Sequence, residues 1–415
     1  MDADIDRECP FQPEIPVSPD RFSGRKQTIE RILRYVPMAI KGETQHFFLT
    51  GKRGMGKTSV TDFVKDIVDY KKGMIGVYVS NKGNDSIEVL TKRIIEALIN
   101  ELPQENKIEK IKKCFGKHIE SIEINESKVS FNVDKILYSD FKNYFPDYIV
   151  EIYNEFPKSR KNGILIIIDD VNGLSKTRDF PDWYKRLADT LAVSNHYELP
   201  VYFLLASNPE SFEALVVLEE SFGSIFHFDF IDCLSDDEVR DFFKDTFAQN
   251  GFEISPEALN IMVTFSSGLP VMMQQIGESV FRICETEHIS KQTAINGVIN
   301  AAYQIASKQI RTDNYEHILL FLVENKMNKF KKSDVKKAMD ISDNVLSNFL
   351  SKMLELGILK STSHKNSGTY EFSNNFWLNH LKKAEILNTF LVSNISILKI
   401  RFKLRKLWII IMVSC

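Results

Sequence analysis

The segment Phe47-Phe48-Leu49-Thr50-Gly51-Lys52-Arg53-Gly54-Met55-Gly56-Lys57-Thr58-Ser59 joins an apolar run to the pattern G-x-x-x-x-G-K-T, with a helical pattern following. Glycines at 51, 54 and 56 let the backbone turn sharply. Successive N–H groups from Gly51 through Lys52, Arg53, Gly54, Met55, Gly56 and on to Ser59 can then point at a phosphate chain. The helix that opens at Lys57 adds the positive end of its dipole. Lys57 is expected to reach the β- and γ-phosphates and Thr58 to place its hydroxyl on Mg²⁺. The chemistry is that of a nucleotide phosphate site.

A second set stands downstream, where Ile164-Leu165-Ile166-Ile167-Ile168 ends in Asp169-Asp170. Such a run suits a strand buried on both faces, with two carboxylates at its tip. Asp169 is expected to hold the Mg²⁺ shell, and Asp170 to polarise a water for attack on a γ-phosphate. Asp170 is one methylene shorter than a glutamate, which points to slow hydrolysis. The next apolar run, Val201-Tyr202-Phe203-Leu204-Leu205, leads into Ala206-Ser207-Asn208-Pro209. Asn208, with Ser207 in reserve, is placed near the γ-phosphate or the attacking water.

Positioning these groups requires alternating strands and helices. A strand at Ile75–Val79, a helix from Ile87 to Leu102 and a fifth strand at Phe226–Phe230 extend the β-α-β-α pattern, so an α/β fold with a parallel sheet is expected over 21–233. Residues 1–20, with Pro10, Pro13, Pro16 and Pro19, read as an extended arm. The stretch at about 104–161 is less regular, with a hairpin suggested by Ile122–Ile124 and Val129–Val133, and Lys107–Lys113 reads as a solvated helix face. From 234 to 311 the pattern is helical, marked by the capping box Ser235-Asp236-Asp237-Glu238, by Ser255-Pro256-Glu257 and by Gly268 as a helix terminator. Residues 312–385 read as helices at Ile318–Glu324, Ser333–Met339 and Asp343–Leu356, then strands at Gly357–Lys360 and Thr369–Phe372, the arrangement of a winged helix. The tail, 386–415, alternates Lys399, Arg401, Lys403 and Arg405 with apolar residues and ends in the apolar run Leu407–Val413, too short to span a bilayer.

A net charge of −3 gives no global attraction to nucleic acid, so any such binding must rest on a local patch. Five scattered cysteines without C-x-x-C spacing argue against a disulfide framework or a zinc site. The acidic start of the chain lacks the apolar core of a signal peptide. These features lead to the expectation of a cytoplasmic protein.

The order Phe22-Ser23-Gly24-Arg25, phosphate loop, Ile164–Asp170, Ala206–Pro209, Gly268-Leu269-Pro270 resembles that of AAA+ and STAND-type P-loop ATPases, nearest to the origin-recognition-like branch with its C-terminal winged helix. The resemblance implies a helical lid over 234–311. It further implies that Phe22 and Arg25 lie near adenine, that Pro270 belongs to the lid over the nucleotide, and that the cofactors are ATP and Mg²⁺. A GTPase would need N-K-x-D after a later strand, which Asn81-Lys82-Gly83-Asn84 does not supply. Two departures stand out. Val271 occupies the position where the family's lid usually offers an arginine, and the segment from Pro209 through Phe226 contains no Arg or Lys. Either Arg178 or Arg186 substitutes for the missing arginine finger, or hydrolysis is slow and proceeds without a ring.

For the winged helix, Asn344, Asn348 and Lys352 are expected on the exposed face of the third helix, with Lys331, Lys332, Lys336 and Lys337 around the second and Lys365 in the wing. These are the candidate contacts to duplex DNA, mostly through phosphates. The leading expectation is a slowly hydrolysing ATP-dependent switch that repositions this domain, on DNA in one version. In the other it is a STAND-like signalling or assembly scaffold acting on protein, or through self-assembly. A metabolic P-loop kinase is a third class, for which no substrate-binding constellation is visible.

Overall fold

The computed structural model describes residues 8–13, 22, 24–81, 86–103, 107–115, 119–125, 128–133, 140–158, 162–193, 199–309, 318, 321–322, 325, 327–355, 359–361 and 368–372. They fall into two compact units. One comprises Gln12–Thr246 with Ser266–Gln274. The other holds the described residues of Met1–Phe11, Phe247–Phe265 and Gln275–Cys415.

The first unit is built on strands β1 (Gln45–Thr50), β2 (Ile75–Ser80), a separate hairpin β3 (Ile119–Asn125) and β4 (Lys128–Val133), then β5 (Ile164–Asp169), β6 (Val201–Ser207) and β7 (His227–Phe230). The main sheet has the order β2-β5-β6-β1-β7 and is parallel throughout. Every residue of β5 and β6 is buried, as their unbroken apolar runs require. Alternate residues feed two cores. Phe48, Ile166, Ile168, Phe203 and Leu205 face one, which also receives Leu90, Ile94 and Leu98 of the helix Ile87–Glu101. Phe47, Leu49, Leu165, Ile167 and Leu204 face the other, against Val60, Val64 and Val68 of the helix Lys57–Lys72. Each such side chain contributes about 1.5–3 kcal/mol of burial free energy, so the helix after the phosphate loop is fixed on the sheet by its apolar stripe.

The hairpin expected within 104–161 is present, antiparallel, with an irregularity between Ile119 and Ser121. The other described residues of that stretch are mostly helical. Helices Lys107–Phe115 and Phe145–Asn154 send Ile111, Phe115, Phe145 and Ile149 into the first core. Lys107, expected on a solvated face, is buried, and its Nζ donates to Asn100 O at 2.9 Å near the end of the preceding helix. Lys112 and Lys113 are exposed as expected.

In the second unit Phe11 is 2% exposed and packs on Phe247 at 4.9 Å between ring centroids. It also lies on Gly277, where a Cβ would come within 2.3 Å of the ring. Strands β8 (Glu253–Ile254) and β9 (His288–Ile289) form a short parallel pair. Further along, helices Lys332–Met339 and Asp343–Glu355 accompany an antiparallel sheet of order β10-β12-β11. Its strands are β10 (Lys329–Lys331), β11 (Leu359–Ser361) and β12 (Thr369–Phe372). Leu346, Phe349, Leu350 and Met353 are buried, and Asn344, Asn348 and Ser351 are exposed, as the helical spacing predicts. Val345 is half-buried, and β10 is an extra strand that three residues of alternating Lys-Phe-Lys did not announce. Most of the helix expected at 318–324, and all of the tail from 386, lie outside the described residues. Among the described residues no helix is long and apolar enough to cross a membrane.

Candidate nucleotide site

The phosphate loop leaves β1 at the C-terminal edge of the sheet, where ligands of parallel α/β folds bind. Its glycines answer distinct demands. Gly54 and Gly56 have φ of 83° and 81°, open to glycine at little cost. At Gly51 a Cβ would sit 2.7 Å from Ile231 O, so the turn itself excludes a side chain. Gly56 is the N-cap of Lys57–Lys72, which aims the helix N-terminus into the loop. Met55 N–H closes a turn on Lys52 O, while the side chains of Lys52 and Arg53 are exposed.

Lys57 arches over this loop and donates to Gly51 O at 2.6 Å and Lys52 O at 3.1 Å. Burial lowers its pKa, against the opposing pull of Asp169 and Asp170. Asp169 closes β5 at 5% exposure. Its Oδ2 accepts from Thr58 Oγ1 and from Tyr78 Oη, both at 2.6 Å, and its Oδ1 accepts from Asp170 N at 2.9 Å. The Thr58–Asp169 pair is the one expected from sequence, and Tyr78 is an addition that sequence reasoning missed. Burial, and then the neighbouring Asp169, push the Tyr78 phenol well above its ordinary range, so it stays a donor.

These oxygens fit Mg²⁺. Thr58 and Asp169 are hard donors at the mouth of a phosphate loop, and Mg²⁺ typically takes one or two protein ligands and completes its shell with phosphate and water. Among the described residues no group of three or more His, Cys, Asp or Glu side chains competes as a metal site.

Asp170 is exposed at the strand tip with φ of 61°. Loss of solvent around it and the charge of Asp169 raise its pKa, with Lys57 and Arg53 pulling the other way. Asn172 Nδ2 donates to Asp170 Oδ1, and Asn172 Oδ1 accepts from Asn208 N at 2.9 Å, so one amide ties the β5 tip to the β6 tip. That bridge was not anticipated. Asn208 reaches Asp170 only through this amide, and its own Oδ1 accepts from Ser211 N at 2.8 Å and caps the helix Pro209–Leu218. The Asn208 Nδ2 is the remaining donor of that side chain. Ser207, the reserve, is buried with its hydroxyl on Asn208 O.

Beside the loop lies an open pocket. Phe22, Arg25, Met55, Gly56, Ser59 and Pro270 all line it, together with Leu234, Phe242, Met273 and Gln274, which no motif singled out. Its largely apolar wall suits the face of a small-molecule ring. Phe22 stacks on Phe63 at 4.7 Å. Arg25 has φ of 59°, its N–H donates to Glu238 Oε1 at 2.8 Å, and its guanidinium reaches Met55 O at 3.2 Å. Glu238 is the acid of the predicted capping box, with Ser235 N and Oγ each 3.0 Å from its Oε2, so one carboxylate anchors both a helix start and the Arg25 turn. Gly268, at φ of 68°, accepts from Leu234 N at 2.8 Å, and a Cβ there would meet Leu234 O at 2.2 Å. This close approach brings Pro270 to the cavity and sets Val271 opposite Gly54, whose Cβ would lie 3.3 Å from Val271 Cγ1. An apolar side chain thus faces the phosphate loop at the position expected for the lid arginine.

The other expected cations are largely engaged. Arg178 bonds Asp182 and Glu219, the latter at 2.8 Å. A bond from Ser221, then Arg178, holds the Glu219 carboxyl down to about 2. Arg186 is exposed on the helix Asp179–Val193. In the second unit Lys332 Nζ lies 2.9 Å from Asp343 Oδ2 and 2.7 Å from Ser347 Oγ, and Lys336 lies 3.2 Å from Asp343 Oδ1. Two of the lysines expected around the second helix are thus paired with one carboxylate. The lysine spacing did not reveal that Asp343 sits between them. Lys331, Lys337, Asn344 and Asn348 are exposed, whereas Lys365 and the side chain of Lys352 lie outside the described residues.

Residues 25–214 match the KAP family P-loop domain. Among solved structures, the ORC1 protein of Aeropyrum pernix in complex with DNA is similar at 14% identity and a TM-score of 0.52, covering 89% of this chain and 94% of that one. The Aeropyrum pernix ORC2 protein, solved as ADPNP–ADP complexes, is similar at 11% identity and a TM-score of 0.50, covering 92% of this chain and 98% of that one. No curated protein matches the chain by sequence. At these identities the structural likeness is one of fold. The chain has an α/β P-loop fold similar to that of these two ORC proteins, with a match to the KAP family P-loop domain over residues 25–214.

Proposed function

We propose that this chain binds ATP·Mg²⁺ and hydrolyses it slowly, as a switch whose nucleotide state repositions its lid and C-terminal domain. The observation that carries the reading is the assembly of Lys57, Thr58 and Asp169 around a glycine loop whose helix N-terminus faces the same point. Lys57, the loop N–H groups and Thr58 would hold the phosphates and the cation. The base would occupy the cavity of Phe22, Arg25 and Pro270. Asp170 would orient the attacking water, with Asn208 Nδ2 beside it. Bound Mg²⁺ would neutralise phosphate charge and polarise the γ-phosphoryl group. Val271 against Gly54 supports coupling of lid to phosphate loop, and an apolar residue there adds no charge to speed hydrolysis. The reading stands on nucleotide binding: purified protein should bind ATP, and Lys57→Ala should weaken that binding on the order of 100-fold. Tight binding by the alanine variant would sink it.

The C-terminal domain of such a switch would act on duplex DNA or on protein. A similar protein was solved with DNA, and exposed Lys331 and Lys337 would meet phosphates, which supports the first. The pairing of Lys332 and Lys336 with Asp343 favours the second, because it removes cations from the surface that duplex would need. Duplex affinity that falls steeply with salt would decide for DNA. Nucleotide-dependent change of mass in light scattering without such affinity would decide for a scaffold.

A further inference from the structure

Tyr78 has no place in the phosphate-loop motifs, yet it shares an oxygen with the residues expected to hold the cation. Residues 76, 78 and 80 of β2 point to one face, and Ser80 is in register with Asp169. At Gly76 a Cβ would be 2.7 Å from Lys65 Cγ, so the strand can lie close beneath the helix Lys57–Lys72. That approach brings the Tyr78 hydroxyl and Thr58 Oγ1 to the same Asp169 Oδ2, each at 2.6 Å.

We infer that Tyr78 is a positioning residue for the Mg²⁺ ligand set, fixing Asp169 so that Thr58 presents its lone pairs to the cation. The inference rests on the ATP·Mg²⁺ reading above. Thr58 has one hydroxyl proton and spends it on Asp169, which leaves only its lone pairs for a metal. The carboxylate must stay in one rotation for this to hold. The phenol supplies a second donor on Oδ2 from a strand rather than from the loop, and Asp170 N–H secures Oδ1. Hydrogen bonds to a charged acceptor are the stronger kind, and a preset ligand geometry lowers what binding must reorganise.

The test is Tyr78→Phe in the full chain, with ATP affinity measured by calorimetry in Mg²⁺ and in EDTA. The variant removes one oxygen and keeps the ring. Affinity in EDTA should match wild type, whereas affinity in Mg²⁺ should fall about tenfold and the half-saturating Mg²⁺ concentration should rise. Equal affinities for variant and wild type in Mg²⁺ would overturn the inference. So would parallel losses in both buffers, which would mark the hydroxyl as a general support of the loop. Wild-type protein that binds no ATP in either buffer would instead overturn the nucleotide reading, and this inference with it.

Discussion

The phosphate site and the lysine surface of the C-terminal unit both gather charge, but they do so by opposite means. At the phosphate site Lys57, Thr58, Tyr78 and Asp169 are half-buried or buried, with Lys57 held by a loop carbonyl and the Thr58 and Tyr78 hydroxyls by the Asp169 carboxylate. At the C-terminal surface Lys336 and Asp343 are exposed, and Lys332 is half-buried against the same carboxylate. Partners at the first site are preset in a medium where water competes poorly, so geometry selects the ligand. Exposed ion pairs are screened by water and salt and contribute little. One region is a built site, and the other is a surface whose charge can be retuned by single residues.

The comparison breaks first at Asp170. If it orients the attacking water, Asp170→Asn should lower ATP turnover about 10²–10³-fold while ATP affinity is kept. Its raised pKa fixes the sign of the pH dependence. A raised group takes up its proton at a higher pH, so wild-type turnover should fall on acidification with a midpoint above that of an ordinary aspartate. A flat profile on acidification would remove Asp170 from the chemistry. Lys57→Ala comes next, with ATP affinity reduced on the order of 100-fold in a filter-binding assay. Gly268→Ala tests the cavity wall. A left-handed backbone and a Cβ 2.2 Å from Leu234 O should destabilise the fold by about 3 kcal/mol, seen as a lower urea midpoint.

The smallest effect belongs to the lysine surface. Lys331→Ala should lower the salt dependence of any duplex binding by roughly one unit of slope, and Lys332→Ala by less, because Asp343 already neutralises Lys332. Asp343→Ala should raise duplex affinity a few-fold at low salt, on the order of one released phosphate contact. Equal effects from Lys331 and Lys332 would show that the two regions differ less than their geometry implies.

Much of the site could be read before any coordinate. Gly51, Gly54 and Gly56 answer to torsions and to a single close contact, Lys57 and Thr58 follow at fixed spacing, and the all-apolar run into Asp169 permits few structures other than a buried strand. The capping box at Ser235 and Glu238 was equally legible, since its bonds span three residues. Tyr78 was not. It sits in a strand of ordinary composition, and only the register of β2 against β5 aligns it with an acid 91 positions away. Asn172 and the cavity residues Phe242, Met273 and Gln274 were hidden for the same reason.

What the sequence alone determined is therefore the short-range part: the phosphate loop, the acidic strand tip, the helix caps and the parallel α/β pattern, all set by torsion, periodicity and neighbours within a few residues. Tertiary structure decided which groups share an oxygen. It placed Tyr78 on Asp169, Arg25 on Glu238 across 213 positions, Val271 over Gly54, and Asp343 between two lysines. Such pairings depend on strand register and helix packing, which the chain fixes only when distant apolar faces are buried together.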